Sequence, residues 1–208
     1  MSLRAAQRER GREVIRDAAE ELFLAKGYSG TPVTEVAKHA GVAEKTIYNL
    51  FETKSGLLLD LFSVRVSGEG GETLAARHEQ VEQLVDSNEI IAEFCRINQE
   101  VATRALPLLR VVIEASAVDS DVADRLAEQE EHRMQDQAYL LDALDRRGHL
   151  RKDKSREELA HDLWLAAAPE LVIKVLDVGW SLERHTSWLS EVLEALLLPR
   201  SLVPESLS

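Results

Sequence analysis

Lys45, Thr46, Tyr48 and Asn49 stand within one short stretch of the chain, and each side chain has a natural partner on a nucleic acid. A lysine ammonium can approach the guanine acceptors, and an asparagine amide can pair with adenine. A threonine methyl can meet the thymine methyl, and a tyrosine hydroxyl can reach a phosphate. Such a set works only from one face of a rigid element narrow enough for the major groove. The spacing supplies one: Ile47, Leu50 and Phe51 recur at helical intervals and turn inward, leaving Glu44, Lys45, Thr46, Tyr48 and Asn49 outward. Just upstream, Val33, Val36 and Ala37 form a second short apolar stripe, which Ala40-Gly41-Val42 interrupts. Gly41 can take the left-handed conformation that ends one helix and starts a turn. Residues 33–51 therefore predict a helix-turn-helix whose second helix, from about Ala43, carries the polar face.

Several of these residues also occur in a fixed order. Lys26-Gly27-Tyr28, Thr34-Glu35-Val36-Ala37, Ala40-Gly41-Val42, Thr46-Ile47-Tyr48, Phe51 and Lys54 together resemble the DNA-binding domain of TetR-family transcriptional regulators. The resemblance implies an all-α protein of about nine helices: an N-terminal three-helix DNA-binding domain and a C-terminal helical domain for ligand binding and dimerisation. In that pattern Tyr48 and Lys54 match phosphate contacts, and Thr34, early in its helix, is a further phosphate candidate. One position departs from it. Pro32 stands where the family usually has Ser or Thr, removing a hydroxyl and an N–H, so Thr31 is left to cap the helix.

The charge distribution fits a protein that approaches DNA from one end. The whole chain carries −12, but residues 1–60 hold nine basic and nine acidic side chains, and residues 61–208 hold the excess of acid. Arg4, Arg8, Arg10, Arg12 and Arg16 face only Glu9 and Glu13 at the leading edge. An acidic body is repelled by the DNA backbone and would orient the molecule head-first. The 208 residues are enough for a proper core, and no run of apolar residues is long enough to span a membrane. The first residues show no signal-peptide core, so a cytoplasmic location is expected. The single cysteine, Cys95, rules out an intrachain disulfide.

The elements that must position the site read as helices nearly throughout. Val14, Ile15, Ala18, Ala19, Leu22 and Phe23 give one face to a first helix from about Arg8 to Lys26. A fourth helix begins with Thr53 as N-cap and continues past a soft spot at Gly68-Glu69-Gly70-Gly71, whose three glycines predict a kink or break there. Further helices are predicted near 87–104, 106–117, 121–147, 155–178 and 183–198. Pro107 is placed in the first turn of its helix, Asp119 or Ser120 and Asp153 or Ser155 at N-caps, and Gly148 at a C-cap. Residues 1–54 are assigned to the DNA-binding domain, 55–200 to the effector and dimerisation domain, and 201–208 to a frayed tail.

For the body, the resemblance implies a homodimer whose last two helices pack against the partner's pair. Trp164, Ala167, Leu171, Trp188, Leu189, Val192 and Leu196 are the interface candidates. It also implies a small-molecule pocket, for which Phe62, Phe94, Asn98, Glu114, Met134, Tyr139, His161 and Trp164 are the lining candidates; no ligand class follows from them. The expected partners are thus a double-stranded operator, an unidentified effector and a second copy of the chain, with no cofactor and no membrane. Two other readings compete. A helical metal enzyme is suggested by the Glu-x-x-His pair Glu158 and His161, but a di-iron bundle needs a second such motif and none exists. An effector-independent repressor or partner-regulated adaptor shares the same head and differs only in a closed, fully packed body. Cys95, beside Phe94, reads as a small core residue.

Overall fold

The computed structural model describes residues 3–68 and 74–199, and every regular element among them is a helix. Helices α1 (Leu3–Lys26), α2 (Val33–Ala40) and α3 (Glu44–Phe51) come first. They are followed by α4 (Lys54–Ser67), α5 (Leu74–Val81), α6 (Ser87–Ser116) and α7 (Ser120–Asp136). The chain continues through α8 (Ala138–Arg146), α9 (Arg156–Ala166), α10 (Pro169–Asp177) and α11 (Leu182–Leu197). These are eleven helices among the described residues, or nine if α7 is counted with α8 and α9 with α10, which closely follow one another in the chain.

Residue contacts divide the chain into two units. The first comprises Met1–Val66 with Pro107–Glu128, and the second Ser67–Leu106 with Gln129–Ser208. In the first unit, Ile15, Ala19 and Phe23 of α1 bury with Val36 and Ala37 of α2, Ile47 and Phe51 of α3, and Leu57, Leu58 and Leu61 of α4. Val112, Ala115 and Val122 are buried in its 107–128 segment. Removing each large apolar side chain from water contributes roughly 1.5–3 kcal/mol, so the short α2 and α3 are held by packing, since helices of eight residues are marginal alone. The second unit has its own core. Ile90, Ile91 and Phe94 of α6 join Leu140, Leu141 and Leu144 of α8, Leu159 and Leu163 of α9, and Leu189, Leu193 and Leu197 of α11.

Helix ends follow local chemistry where a cap exists. Thr53 Oγ1 accepts the Gly56 N–H at 2.9 Å and starts α4 as expected. Ser155 and Glu158 close a capping box, with the Glu158 carboxylate accepting the Ser155 N–H at 2.7 Å and the Ser155 hydroxyl accepting the Glu158 N–H at 3.2 Å. That bond holds the Glu158 carboxyl below its ordinary range. The glutamate of the Glu-x-x-His pair is therefore a cap.

Five expectations change. The predicted helices 87–104 and 106–117 are one, because α6 runs straight through Pro107. Proline there removes an N–H, but Ala105, Leu106, Leu108 and Leu109 are all buried around it. The predicted helix 155–178 is broken at Ala167–Ala168, because Pro169 forces Ala168 into an extended conformation (φ −66°, ψ 127°) and then opens α10. The predicted helix 121–147 is interrupted at Gln137, where the next bond tightens to Leu140 N–H on Gln137 C=O. Helix α4 stops at Ser67, with Gly68 at φ 84°, and does not run on; Glu69, Gly70 and Gly71 lie outside the described residues, as do 201–208. Thr31 does not cap α2. Its hydroxyl is buried and donates backward to the α1 carbonyl of Leu22 and to Gly27 C=O, at 3.2 and 2.9 Å. Pro32 occupies the N-cap position with no side-chain bond. Helix α5 is an element the sequence pattern did not reveal.

Candidate nucleic-acid interface

The turn between α2 and α3 is set by backbone geometry. Gly41 sits at φ 67°, and its N–H and that of Val42 close onto Lys38 C=O and Ala37 C=O at 3.3 and 3.0 Å. A β-branched residue at Gly41 would be strained there even though the space around it is open. The chain then re-enters helix at Glu44 with Ile47 and Phe51 fully turned into the core. Lys45, Tyr48 and Asn49 are left exposed on the opposite face, Tyr48 at 47%, with Thr46 half-buried beside them. Thr34 is exposed on α2. Neither α2 nor α3 has a side-chain N-cap, so their first-turn N–H groups suit an outside acceptor such as a phosphate oxygen.

Behind this face, ion pairs fix the helices that carry it. Asp60 of α4 accepts from both Arg12 and Arg16 of α1, the Arg16 Nε bond measuring 2.7 Å. Arg16 also meets Glu9 at 2.9 Å, while Arg12 donates to Leu50 C=O at 2.8 Å and lies 4.5 Å over the Phe51 ring. Arg65 of α4 pairs with Glu20 of α1. The leading-edge arginines expected to greet DNA thus divide. Arg12 and Arg16 hold α1 against α3 and α4, Arg8 and Arg10 are exposed, and the Arg4 side chain lies outside the described residues.

Lys54, the remaining candidate, is half-buried and turned inward. Its Nζ donates to Tyr28 C=O at 2.5 Å and lies 4.1 Å from the Tyr28 ring centroid. The Tyr28 hydroxyl in turn donates to Asp119 at 2.5 Å. Burial together with that carboxylate raises the Tyr28 pKa, and burial lowers that of Lys54 against the pull of Asp119 and Glu114. The sequence does not single out Asp60, whereas it places Tyr28 in the motif and Asp119 as an N-cap candidate, which it is for α7. Only the helical phase of Asp60 against the arginines could have hinted at it.

The pocket candidates scatter. Phe62 is buried and Glu114 exposed in the first unit, where the Glu114 carboxylate lies against Gly27. The other six belong to the second unit, with His161 exposed. Phe94 and Tyr139 meet there, ring centroids 5.8 Å apart, and His78, unforeseen, stacks on Tyr139 at 3.8 Å. Asn98 bonds to Phe94 C=O at 2.9 Å, and Arg133 lies 5.2 Å over Trp164 while donating to its carbonyl. Among the described residues, Gln137 Oε1, Tyr139 OH, Trp164 Nε1 and His185 Nε2 are buried without a hydrogen-bond partner. Of the dimer candidates, Leu189 and Ala167 are buried within the chain's own core, whereas Trp164, Leu171, Trp188, Val192 and Leu196 are half-buried. Cys95 is buried, its thiol pushed up to about 12, as befits a core residue. Among the described residues, no cluster of His, Cys, Asp and Glu could hold a metal ion, and no helix is long and apolar enough to cross a membrane.

Comparison with known proteins locates this arrangement. Residues 15–61 match the family model of bacterial regulatory proteins, tetR family. The fatty acid metabolism regulator protein of Bacillus subtilis (strain 168) is 33% identical over 78 residues, a stretch spanning only 38% of this chain and 38% of that protein. Among solved structures, NalD, the secondary repressor of the MexAB-OprM multidrug efflux pump in Pseudomonas aeruginosa, superposes with a TM-score of 0.65 at 20% identity, over 92% of this chain and 98% of NalD. A transcriptional regulator from Saccharomonospora viridis, in complex with choline, gives 0.69 at 18% identity over 92% of this chain and all of its own. By sequence, residues 15–61 thus match the tetR family of bacterial regulatory proteins, and the described chain shares the fold of these two solved regulators.

Proposed function

We propose that the protein is a ligand-released repressor acting as a homodimer on a palindromic operator. The observation that supports it best is the exposed polar face of α3, with Lys45, Tyr48 and Asn49 outward over a buried Ile47 and Phe51. In this reading residues 1–54 bind DNA: Lys45, Thr46 and Asn49 read bases, and Thr34, Tyr48 and Lys54 contact phosphates. Residues 55–200 carry the effector site and the dimer interface, the latter built on α9, α10 and α11. A two-fold dimer reads half-sites about one helical turn, or a multiple of it, apart.

The alternative of an effector-independent repressor requires a body with no unsatisfied interior. The partnerless buried atoms of Tyr139, Trp164 and Gln137 favour a body that receives a ligand. The choline-bound neighbour makes a small-molecule effector reasonable for the fold, and NalD makes repression reasonable. An effector acts only by preferring one spacing of the two heads over the other.

The test is selection of duplexes from a randomised DNA library by the purified protein at two salt concentrations. Enrichment of an inverted repeat, lost steeply as salt rises, is the expected outcome. A single asymmetric element bound by a monomer overturns the dimeric reading, and no enrichment at either salt overturns DNA recognition by the protein as purified.

A further inference from the structure

Most acids of the head are neutralised by a neighbour. Glu9, Glu20, Glu21, Glu35 and Asp60 each lie against an arginine, a lysine or a histidine. Glu44, in the first turn of α3, and Glu52, just past its end, have neither an ion pair nor a hydrogen bond on their carboxylates among the described residues. A first-turn glutamate often serves as a cap. Glu158 closes the capping box of α9, and Glu183 of α11 is drawn below the ordinary carboxyl range by its own backbone N–H. Glu44 makes no such bond, and α3 starts from Ala43 with no side-chain cap. The side chain is exposed, one turn ahead of Tyr48 and next to Lys45, on a bond that leans toward the leading end of the helix. Glu35 is the corresponding first-turn acid of α2, and there Lys26 cancels the charge. The uncapped start of α2, beside Thr34, therefore suits a phosphate, whereas the carboxylate at the start of α3 repels one.

We propose that Glu44 is a specificity-determining residue that accepts a hydrogen bond from the exocyclic amino group of cytosine in the major groove. This role presupposes the DNA-binding reading above and adds the base recognised at one position. The first residues of a recognition helix are the ones placed to reach base edges. An ionised carboxylate can only accept hydrogen bonds. Cytosine presents its N4 amino group there as a donor alone. Adenine sets the N7 acceptor beside its amino group, and guanine and thymine present acceptors that repel a carboxylate. Glu44 thus weakens binding to every duplex by repelling phosphates and recovers that loss where cytosine stands opposite it. Lys45, suited to guanine acceptors, reads the reverse chemistry from the adjacent position.

The test takes wild type, Glu44→Gln and Glu44→Ala through selection from the randomised duplex library. Affinities are then measured on the enriched duplex, on its single-base variants and on a scrambled duplex. Wild type is expected to prefer cytosine at one position of each half-site by about tenfold or more, equivalent to about 1.4 kcal/mol. Glu44→Ala is expected to lose that preference alone and to bind the scrambled duplex more tightly, most clearly at low salt. Glu44→Gln is expected to move the preference from cytosine to adenine, because an amide pairs with both N6 and N7. A merely structural residue at the helix start would not exchange one base for another. Tighter binding of every duplex by both variants, with base preferences intact, would make Glu44 a solvated charge and overturns the proposal. Where Glu44→Ala is unfolded by circular dichroism, or loses preference at all positions together, the isosteric Glu44→Gln decides. A switch confined to one position upholds the role, and a uniform loss overturns it. No enriched motif with wild type overturns DNA recognition itself, whereas a wild-type motif that neither variant alters overturns only the role of Glu44.

Discussion

The head and the second unit differ in how completely their buried polar groups are paired, although ion pairs such as Arg77 with Glu93 occur in the second unit too. In the head, Arg12, Arg16 and Asp60 are tied together, and the hydroxyls of Tyr28 and Thr31 each have acceptors. In the second unit Gln137, Tyr139, Trp164 and His185 all bury polar atoms without a partner. The first pattern fixes a surface before its partner arrives, which lowers the ordering cost of binding a regular duplex. The second leaves the desolvation of those atoms unrepaid by any protein partner.

The largest effect should follow from breaking the head's central ion pairs. Asp60→Ala leaves Arg16, whose side chain is only 8% exposed, with Glu9 as its one remaining carboxylate and should cost about 3 kcal/mol in urea unfolding. A loss below about 0.5 kcal/mol would mean that the arginines are held by packing alone. Next comes DNA recognition. Asn49→Ala should relax preference at a single operator position by about 1–3 kcal/mol, whereas Tyr48→Phe should weaken all sequences alike. Equal binding by wild type and both variants would remove these residues from the interface.

A matched pair of smaller effects bears on the contrast most directly. Tyr28→Phe forfeits a bond to a carboxylate and should destabilise by about 1.5 kcal/mol. Tyr139→Phe removes a hydroxyl that has no partner and should change stability by less than about 0.5 kcal/mol, or raise it. Equal losses at the two tyrosines would erase the distinction between the regions. The smallest effect is in pH. Burial lowers the pKa of His185 and of His78 below the ordinary histidine value, so the folded state binds fewer protons than the unfolded one in this range. Stability contributed by the neutral rings is therefore complete above the unfolded value of about 6.5 and is lost as pH falls from there toward the lowered folded values. His185→Gln should flatten that decline in acid; an identical pH profile would show that His185 does not carry it.

Legibility followed the range of the interactions. The phase of Ile47 and Phe51 against Tyr48 and Asn49 was readable because a helix converts spacing directly into faces. Thr53, Ser155 and Gly148 were readable for the same reason, since a cap or a left-handed turn is satisfied within a few residues. Pro107 and Pro169 show the limit. Both carry the same local penalty, yet α6 passes through one and the chain breaks at the other. Lys54 shows it again: the motif matches a phosphate contact, while its bond to Tyr28 C=O spans 26 residues of sequence.

The sequence by itself determined the helical class, the helix-turn-helix and the outward set on α3, because these depend on periodicity, a glycine and short-range packing. Tertiary structure alone decided that Arg12 and Arg16 brace the head, that Asp119 reaches Tyr28, and that Tyr139 is buried on His78 with its hydroxyl unpaired. Those outcomes depend on which side chains meet across tens of residues, and no local preference encodes a partner that only folding brings near.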